Sequence, residues 1–84
     1  MILNAAKYKG SRDYRSYSAT GMLIDELAKM EIGETIRLDK LINRYGEQVG
    51  VKTIRATISS YGKRVGDFAT RKIGSNGLEI TRVA

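Results

Sequence analysis

The chain has no cysteine and no histidine among its 84 residues. This absence excludes disulfide bonds, metal sites built from thiolates or imidazoles, cysteine nucleophiles and the usual histidine base. Nine acidic residues remain, and the one tight acidic cluster among them is Asp25-Glu26. Neighbours on a helix point in different directions, so this pair is poorly placed to hold an ion. We expect no catalytic residue, no metal, no cofactor and no small-molecule substrate, and thus a protein that is not an enzyme.

Long apolar segments are also missing. No apolar run approaches the ~18 residues that a membrane-spanning helix needs. The first residues, MILNAAKYKG, lack the apolar core of a secretory signal. We therefore expect a cytoplasmic protein that does not contact a membrane. The apolar share of 42% and the charged share of 29% are typical of a single small folded domain.

The net charge of +6 is unevenly distributed along the chain. Residues 1–20 and 52–84 are rich in lysine and arginine, whereas residues 21–51 carry more acids than bases. Such an asymmetry is what a phosphate-binding surface requires, because each neutralised phosphate releases condensed counterions. A basic face can also serve only to keep a protein soluble, so charge alone leaves both interpretations open.

Residues 1–19 show no sustained periodicity, and we predict a flexible N-terminal arm there, followed by one domain at 20–84. Cations alternate with tyrosines in the arm, which suits phosphate contacts and stacking on exposed bases. Tyr8, Tyr14 and Tyr17 could equally pack on the domain or on another subunit. The candidate DNA-binding residues of the arm are Lys7, Lys9, Arg12 and Arg15.

The domain is predicted to begin with a helix, a short strand and a second helix. Thr20 is the candidate N-cap of the first helix, 20–31, and a strand is predicted at 34–38. The apolar stripe of the first helix consists of Met22, Leu23, Leu27 and Met30, widened by Ile24 and Ala28. Asp39 is the candidate N-cap of the second helix, KLINRYG. Its inward side chains would be Leu41, Ile42 and Tyr45, with Gly46 as the C-terminal cap.

A third helix is predicted over residues 51–62, and its polar side is unusual. Its buried stripe would consist of Val51, Ile54, Ile58 and Tyr61. The opposite side mixes cations with short side chains and has no acid, a pattern that suits reading base edges and holding phosphates. The candidate DNA-binding residues of this helix and its C-terminal end are Lys52, Thr53, Arg55, Ala56, Ser59, Ser60, Lys63 and Arg64.

A β-hairpin is predicted after the third helix. The segments DFATRKI and LEITRV alternate, and the GSNG between them offers Asn76-Gly77 as a turn in which both residues tolerate positive φ. Phe68 and Ile80 are its predicted inward anchors. The candidate DNA-binding residues of the hairpin are Arg71, Lys72, Ser75 and Asn76.

In this order of elements the chain resembles the winged helix-turn-helix family over residues ~20–84. The segment LDKLINRYGEQVGVKTIRATISSYGKR corresponds to the helix-turn-helix and FATRKIGSNGLEITRV to the wing. The resemblance implies an α+β fold with three helices, in which the 34–38 strand pairs with the wing. It also implies a third helix in the major groove and a wing that contacts the backbone or the minor groove.

Three functions remain open at this point, because many winged helices bind proteins instead of DNA. The first is a double-stranded DNA-binding protein, a small regulator of transcription or replication. The second is an inhibitor or adaptor that presents the same basic face to a protein partner. The third is a protein that binds RNA or single strands through the tyrosines of the arm. A homodimer would be consistent with each, since one small reading head covers few base pairs.

Overall fold

The computed structural model describes residues 1–8 and 18–84 of the chain. Within these ranges the protein is an α+β domain with two α-helices and five strands in two sheets. The helices are α1 (Ala19–Lys29) and α2 (Val51–Tyr61). The strands are β1 (Ile2–Asn4), β2 (Thr35–Leu38), β3 (Lys40–Ile42), β4 (Phe68–Ile73) and β5 (Gly77–Arg82). The prediction of a winged helix-turn-helix with three helices is therefore wrong in its helix count.

The larger sheet is antiparallel, with the strand order β2-β5-β4. It includes the pairing of the 34–38 strand with the hairpin that the family resemblance implied. Ile36 lies beside Ile80, and Leu38 beside Leu78, so these side chains share one face of the sheet. Both helices cover this face. One hydrophobic core contains residues from both helices and from both sheets. Its buried members are Leu3, Leu23, Leu27, Met30, Leu38, Leu41, Ile54, Ile58, Leu78 and Ile80.

The hairpin of β4 and β5 forms where it was predicted, but its turn differs. Ile73 pairs with Gly77, which leaves residues 74–76 as the loop. Gly74 has the positive φ of the turn, at 61°, and neither Asn76 nor Gly77 does. Gly77 is needed for another reason. A Cβ at this position would lie 2.9 Å from the carbonyl oxygen of Ile73.

Helix α1 begins one residue before its predicted start and has a different cap. The Ser18 hydroxyl accepts a hydrogen bond from the Gly21 amide at 3.0 Å, so Ser18 and not Thr20 is the N-cap. Leu23 and Leu27 are buried as the periodicity predicts, whereas Ala28 is exposed. At the other end, the Arg82 guanidinium donates to the Met30 carbonyl at 2.6 Å. Arg82 thus satisfies a carbonyl that the helix end leaves without a partner.

The predicted second helix at 40–46 is a strand and a turn. β3 pairs in parallel with β1, placing Leu41 beside Leu3, and the Leu41 carbonyl accepts from the Val49 amide at 2.7 Å. Leu41 is 2% exposed, but Tyr45 is 69% exposed and does not face inward. A seven-residue helix has little stability of its own, so pairing with a distant strand outweighs the local apolar pattern.

Asn43 fixes the turn that replaces the rest of this helix. Its side-chain oxygen accepts from the amides of Tyr45 and Glu47, at 2.9 and 3.0 Å. Asparagine favours such local bonds to its own backbone, which compete with helix formation. Gly46 follows with φ +82°, so it closes a turn and does not cap a helix.

The first residues of the predicted arm belong to the two-stranded sheet of β1 and β3. Besides forming β1, they place Leu3 and Ala5 in the buried interior. A 3-10 helix at Ala5–Tyr8 follows. Residues 18–19 of the predicted arm belong to the N-terminus of α1, and residues 9–17 lie outside the described residues.

Asp39, the predicted cap of the missing helix, has a different partner. Its carboxylate accepts from the Met1 α-amino group at 2.8 Å, and the same amino group donates to the Arg37 carbonyl at 2.7 Å. The hydrogen bond from the α-amino group, together with its positive charge, lowers the pKa of Asp39. This pair connects the first residue to the segment between β2 and β3.

We expect Asp39→Asn to lower the thermal stability at neutral pH, with an effect that fades in acid. Because the folded-state pKa of Asp39 is lowered, its contribution is present above the unfolded-state pKa of about 4. It is lost as the pH falls through the folded-state pKa. Melting curves of both proteins over this pH range provide the test. A difference in melting temperature that does not change with pH would contradict the ion pair.

Candidate nucleic-acid interface

Helix α2 carries its polar residues in two parallel stripes. Residues three or four apart share a helix face, so the predicted DNA-binding residues divide into two sets. The inner stripe consists of Lys52, Arg55, Ser59 and Lys63, and the outer stripe consists of Thr53, Ala56, Ser60 and Arg64. Lys63 and Arg64 extend the stripes into the 3-10 helix Gly62–Arg64 that follows α2. Ile54 and Ile58, on the opposite side, are buried in the core and fix the rotation of the helix. Tyr61, predicted to be buried, is 47% exposed, and its ring lies 5.7 Å from the Arg64 guanidinium.

Two clefts lie between the inner stripe and strand β4. The first, which we call the Lys72 cleft, has a volume of about 350 Å³ and is lined by Val51, Lys52, Arg55 and Lys72. The second, the Asp67 cleft, has a volume of about 230 Å³. Its lining residues are Arg55, Ile58, Ser59, Lys63, Gly66, Asp67, Phe68 and Thr70. Arg55 lines both clefts and therefore stands between them.

The cations of the two clefts have no partner within the described part of the chain. Lys52, Arg55, Lys63 and Lys72 make no hydrogen bond or ion pair with any described residue. Some cations elsewhere are engaged, as Lys29 is with Glu26 and Arg82 is with the end of α1. The exposed side chains of Lys7, Arg37 and Lys40, by contrast, also make no hydrogen bond or ion pair with any described residue. Asp67 is the single acid that lines either cleft among the described residues. Four of the described cations without a partner thus lie together where α2 meets β4.

The two neighbouring cations of the hairpin lie on opposite faces of the sheet. Lys72 is in register with Leu78 and Leu38, so its side chain is on the face that the helices cover. Arg71 is in register with Glu79 and points away from α2, with its guanidinium 3.4 Å from the Glu79 carboxylate. The prediction grouped Arg71 with Lys72, but the structure brings only Lys72 to the clefts.

The other candidate residues lie away from the clefts or outside the described residues. Ser75 and Asn76 form the exposed tip of the hairpin and line neither cleft. Lys7 is exposed in the first 3-10 helix. The predicted contacts of Lys9, Arg12 and Arg15, and those of Tyr14 and Tyr17, fall on residues that the structure does not describe.

Thr70 and Asp67 are the polar lining residues that the sequence prediction missed. Thr70 could have been found, since the alternation of a strand that turns the half-buried Phe68 toward the core puts residues 70 and 72 on the same face. Asp67 lines its cleft because the turn at Gly66 brings it beside the end of α2. A Cβ at Gly66 would lie 2.8 Å from the Ala84 carbonyl oxygen, so this turn requires glycine. That contact depends on the distant C-terminal residue, and no local pattern indicates it.

The described residues contain no acidic cluster suited to a metal ion and no helix suited to crossing a membrane. No group of three or more acidic side chains in residues 1–8 and 18–84 is arranged to hold a metal ion. None of the helices in these ranges has the length and apolar character needed to cross a bilayer.

Comparison with protein-family models, with curated proteins and with solved structures gives no match. The resemblance to winged helices therefore stays a prediction, and the candidate site rests on its own chemistry.

Proposed function

We propose that this protein binds double-stranded DNA through the surface between α2 and β4, as a small regulator of transcription or replication. We call this surface the α2–β4 face; it consists of both stripes of α2 together with Thr70 and Lys72. The observation that carries the proposal is the convergence of the unpaired Lys52, Arg55, Lys63 and Lys72 on the two clefts. Four unpaired cations on the helical segment 51–64 and on β4 repel each other, and an anionic backbone relieves that repulsion.

The shape of α2 supports duplex DNA in particular. The outer stripe has the short side chains Thr53, Ala56 and Ser60, all exposed. Short side chains let a helix backbone approach base edges closely, and the B-DNA major groove, ~12 Å wide, admits a helix. Threonine and serine can bond to base edges or to phosphate oxygens, which suits a helix with cations on its other flank.

Fluorescence anisotropy with labelled duplex DNA, single-stranded DNA and duplex RNA tests the proposal. We expect the tightest binding to duplex DNA, with a log–log slope of affinity against salt between about −2 and −4. This range follows from two to four neutralised phosphates at ~0.9 each. Weak binding to all three nucleic acids, or a preference for either of the others, would contradict the proposal.

A second candidate function, a protein-interaction module, is supported by one specific observation. β4 is an edge strand of the larger sheet, and it borders both clefts. An extended acidic peptide could add to this edge while its side chains enter the clefts, as in other strand-addition complexes. A protein of this kind would bind every nucleic acid weakly in the anisotropy experiment and would capture an acidic protein partner tightly.

The adjacent residues Arg71 and Lys72 offer a matched test of which face binds. We expect Lys72→Ala to weaken binding to duplex DNA several-fold, because it removes a cation from the clefts. Arg71→Ala should leave affinity nearly unchanged, because Arg71 lies on the opposite face with Glu79. Titrating labelled duplex DNA with each variant at one salt concentration measures the two affinities. If Arg71→Ala weakens binding more than Lys72→Ala does, DNA binds the outer face of the sheet.

A further inference from the structure

We infer that Lys52, Arg55 and Lys72 together hold one backbone phosphate of the bound DNA in the Lys72 cleft. This inference rests on the proposed function and assigns a role within it. Arg55 then positions the DNA by its backbone and does not read a base, in contrast to its predicted role. The ligand is a phosphodiester group, which gives all sequences the same contact.

The composition of the Lys72 cleft supports an anion of this kind. Three of its four lining residues are cations, and no acid lines it. The fourth, Val51, begins α2, so the cleft adjoins a helix N-terminus, where partial positive charge adds to that of the side chains. The volume of about 350 Å³ is that of roughly ten water molecules, which leaves room for a phosphate and part of its sugar.

The cations reach the cleft from two elements whose relative position the core fixes. Ile54 and Ile58 lock α2 on one side, and Leu78, beside Lys72 in the sheet, is fully buried. Lys52 and Arg55 therefore face Lys72 across a gap whose walls are held by packing. Such preorganisation of the backbone favours one shared ligand, because little backbone order has to be acquired on binding and only the exposed cationic side chains become ordered around the ligand.

The Asp67 cleft is a poorer site for a phosphate. It includes a carboxylate, and its lining has the apolar side chains Ile58 and Phe68. Apart from Arg55, Lys63 is the cation that lines this cleft. We therefore expect Lys63 to contact a phosphate other than the one in the Lys72 cleft. The two clefts would thus hold separate positions along one strand, with Arg55 between them.

The triple variant Lys52→Ala/Arg55→Ala/Lys72→Ala tests the shared phosphate. A short random-sequence duplex labelled with fluorescein is titrated at several salt concentrations. If the three cations share one phosphate, the log–log salt slope falls in magnitude by about 0.9 and affinity drops about eightfold at 0.1 M salt. If each holds its own phosphate, the slope falls by about 2.7 and affinity drops about 500-fold.

A matched control separates the site from net charge. The variant Arg37→Ala/Lys40→Ala/Arg71→Ala loses the same formal charge from exposed residues outside both clefts. We expect this control to keep the log–log salt slope of the wild-type protein. The variant Lys52→Arg/Lys72→Arg retains both charges, so we expect it to keep this slope as well. Circular dichroism checks that each variant is folded, as expected for exposed side chains.

The outcomes distinguish this inference from the proposed function. A drop near 2.7 in the triple variant, no drop at all, or an equal drop in the control would overturn the shared phosphate site and leave DNA binding in place. Absence of duplex binding by the wild-type protein would overturn both. A drop near 0.9 that is confined to the triple variant supports the site.

Discussion

Arg55→Glu should lower the affinity for duplex DNA about 40-fold at 0.1 M salt, and to the same extent for every sequence. The new carboxylate neutralises one of the two lysines left in the Lys72 cleft, so we expect this cleft to lose its phosphate, and loss of that one contact accounts for about eightfold of the effect. A carboxylate about 4 Å from a phosphate adds roughly 1 kcal/mol of repulsion in a water-like dielectric, or about fivefold. Arg55 lines both clefts, so no other single position on α2 should have so large an effect.

Lys40→Glu is the control for this variant. It makes the same change of charge at an exposed residue of β3 that lines neither cleft. We expect it to bind with nearly wild-type affinity at the same salt concentration. Equal losses in the two variants would mean that net charge alone drives binding. A loss in Arg55→Glu confined to one DNA sequence would instead favour a base-reading role.

The second large effect concerns stability and tests the replacement of the predicted helix by β3. Leu41→Ala should lower the free energy of unfolding by about 2–5 kcal/mol, as truncation of a buried leucine does. Tyr45→Ala should change it by less than about 0.5 kcal/mol, because the ring is 69% exposed. In a helix over 40–46 both side chains would face inward, and both truncations would be costly.

Urea unfolding of the two variants provides this measurement, with the midpoint compared at a constant m-value. A domain of 84 residues has a stability of about 4–13 kcal/mol, so Leu41→Ala is expected to remain folded at least in part. If Leu41→Ala does not remain folded, the smaller truncation Leu41→Val is measured in its place. Similar destabilisation by changes at Leu41 and Tyr45 would contradict the strand.

Elements with strong local patterns were predicted well from the sequence. The stripe of α1 places Leu23 and Leu27 in the core, and Ile54 and Ile58 orient α2 as expected. The alternation of residues 68–73 and 77–82 indicated the hairpin within a residue of its bounds. In each case the period of the apolar residues extends over enough positions to define one face.

The prediction failed where distant contacts decide the structure. The segment KLINRYG has apolar residues at helical spacing, yet β1, almost forty residues earlier in the chain, pairs with its first three residues. Nothing near residue 40 indicates that pairing, and a run of so few residues can follow either period. Asp39 shows the same limit. It is a plausible helix cap by type, but its partner is the α-amino group of Met1.

The candidate site was predicted in its residue types more than in its geometry. The lack of acids on the polar side of the predicted third helix made Lys52, Arg55 and Lys63 candidates from the sequence alone. Helical periodicity, which is also visible in the sequence, separates these three residues from the outer stripe. The convergence with Lys72 could not, because it depends on how α2 packs against β4. The sequence also offered no reason to separate Lys72 from Arg71 until their register with β5 was known.

Chemical-shift mapping shows whether duplex DNA binds the α2–β4 face. Unlabelled random-sequence duplex is added to ¹⁵N-labelled protein, and amide shifts are followed along the chain. We predict the largest shifts at Lys52, Arg55, Lys63, Thr70 and Lys72, with small shifts at Thr35, Arg37 and Thr81 on the outer face of the sheet. Shifts concentrated on that outer face, or no shifts at all, would contradict binding of duplex DNA to the α2–β4 face.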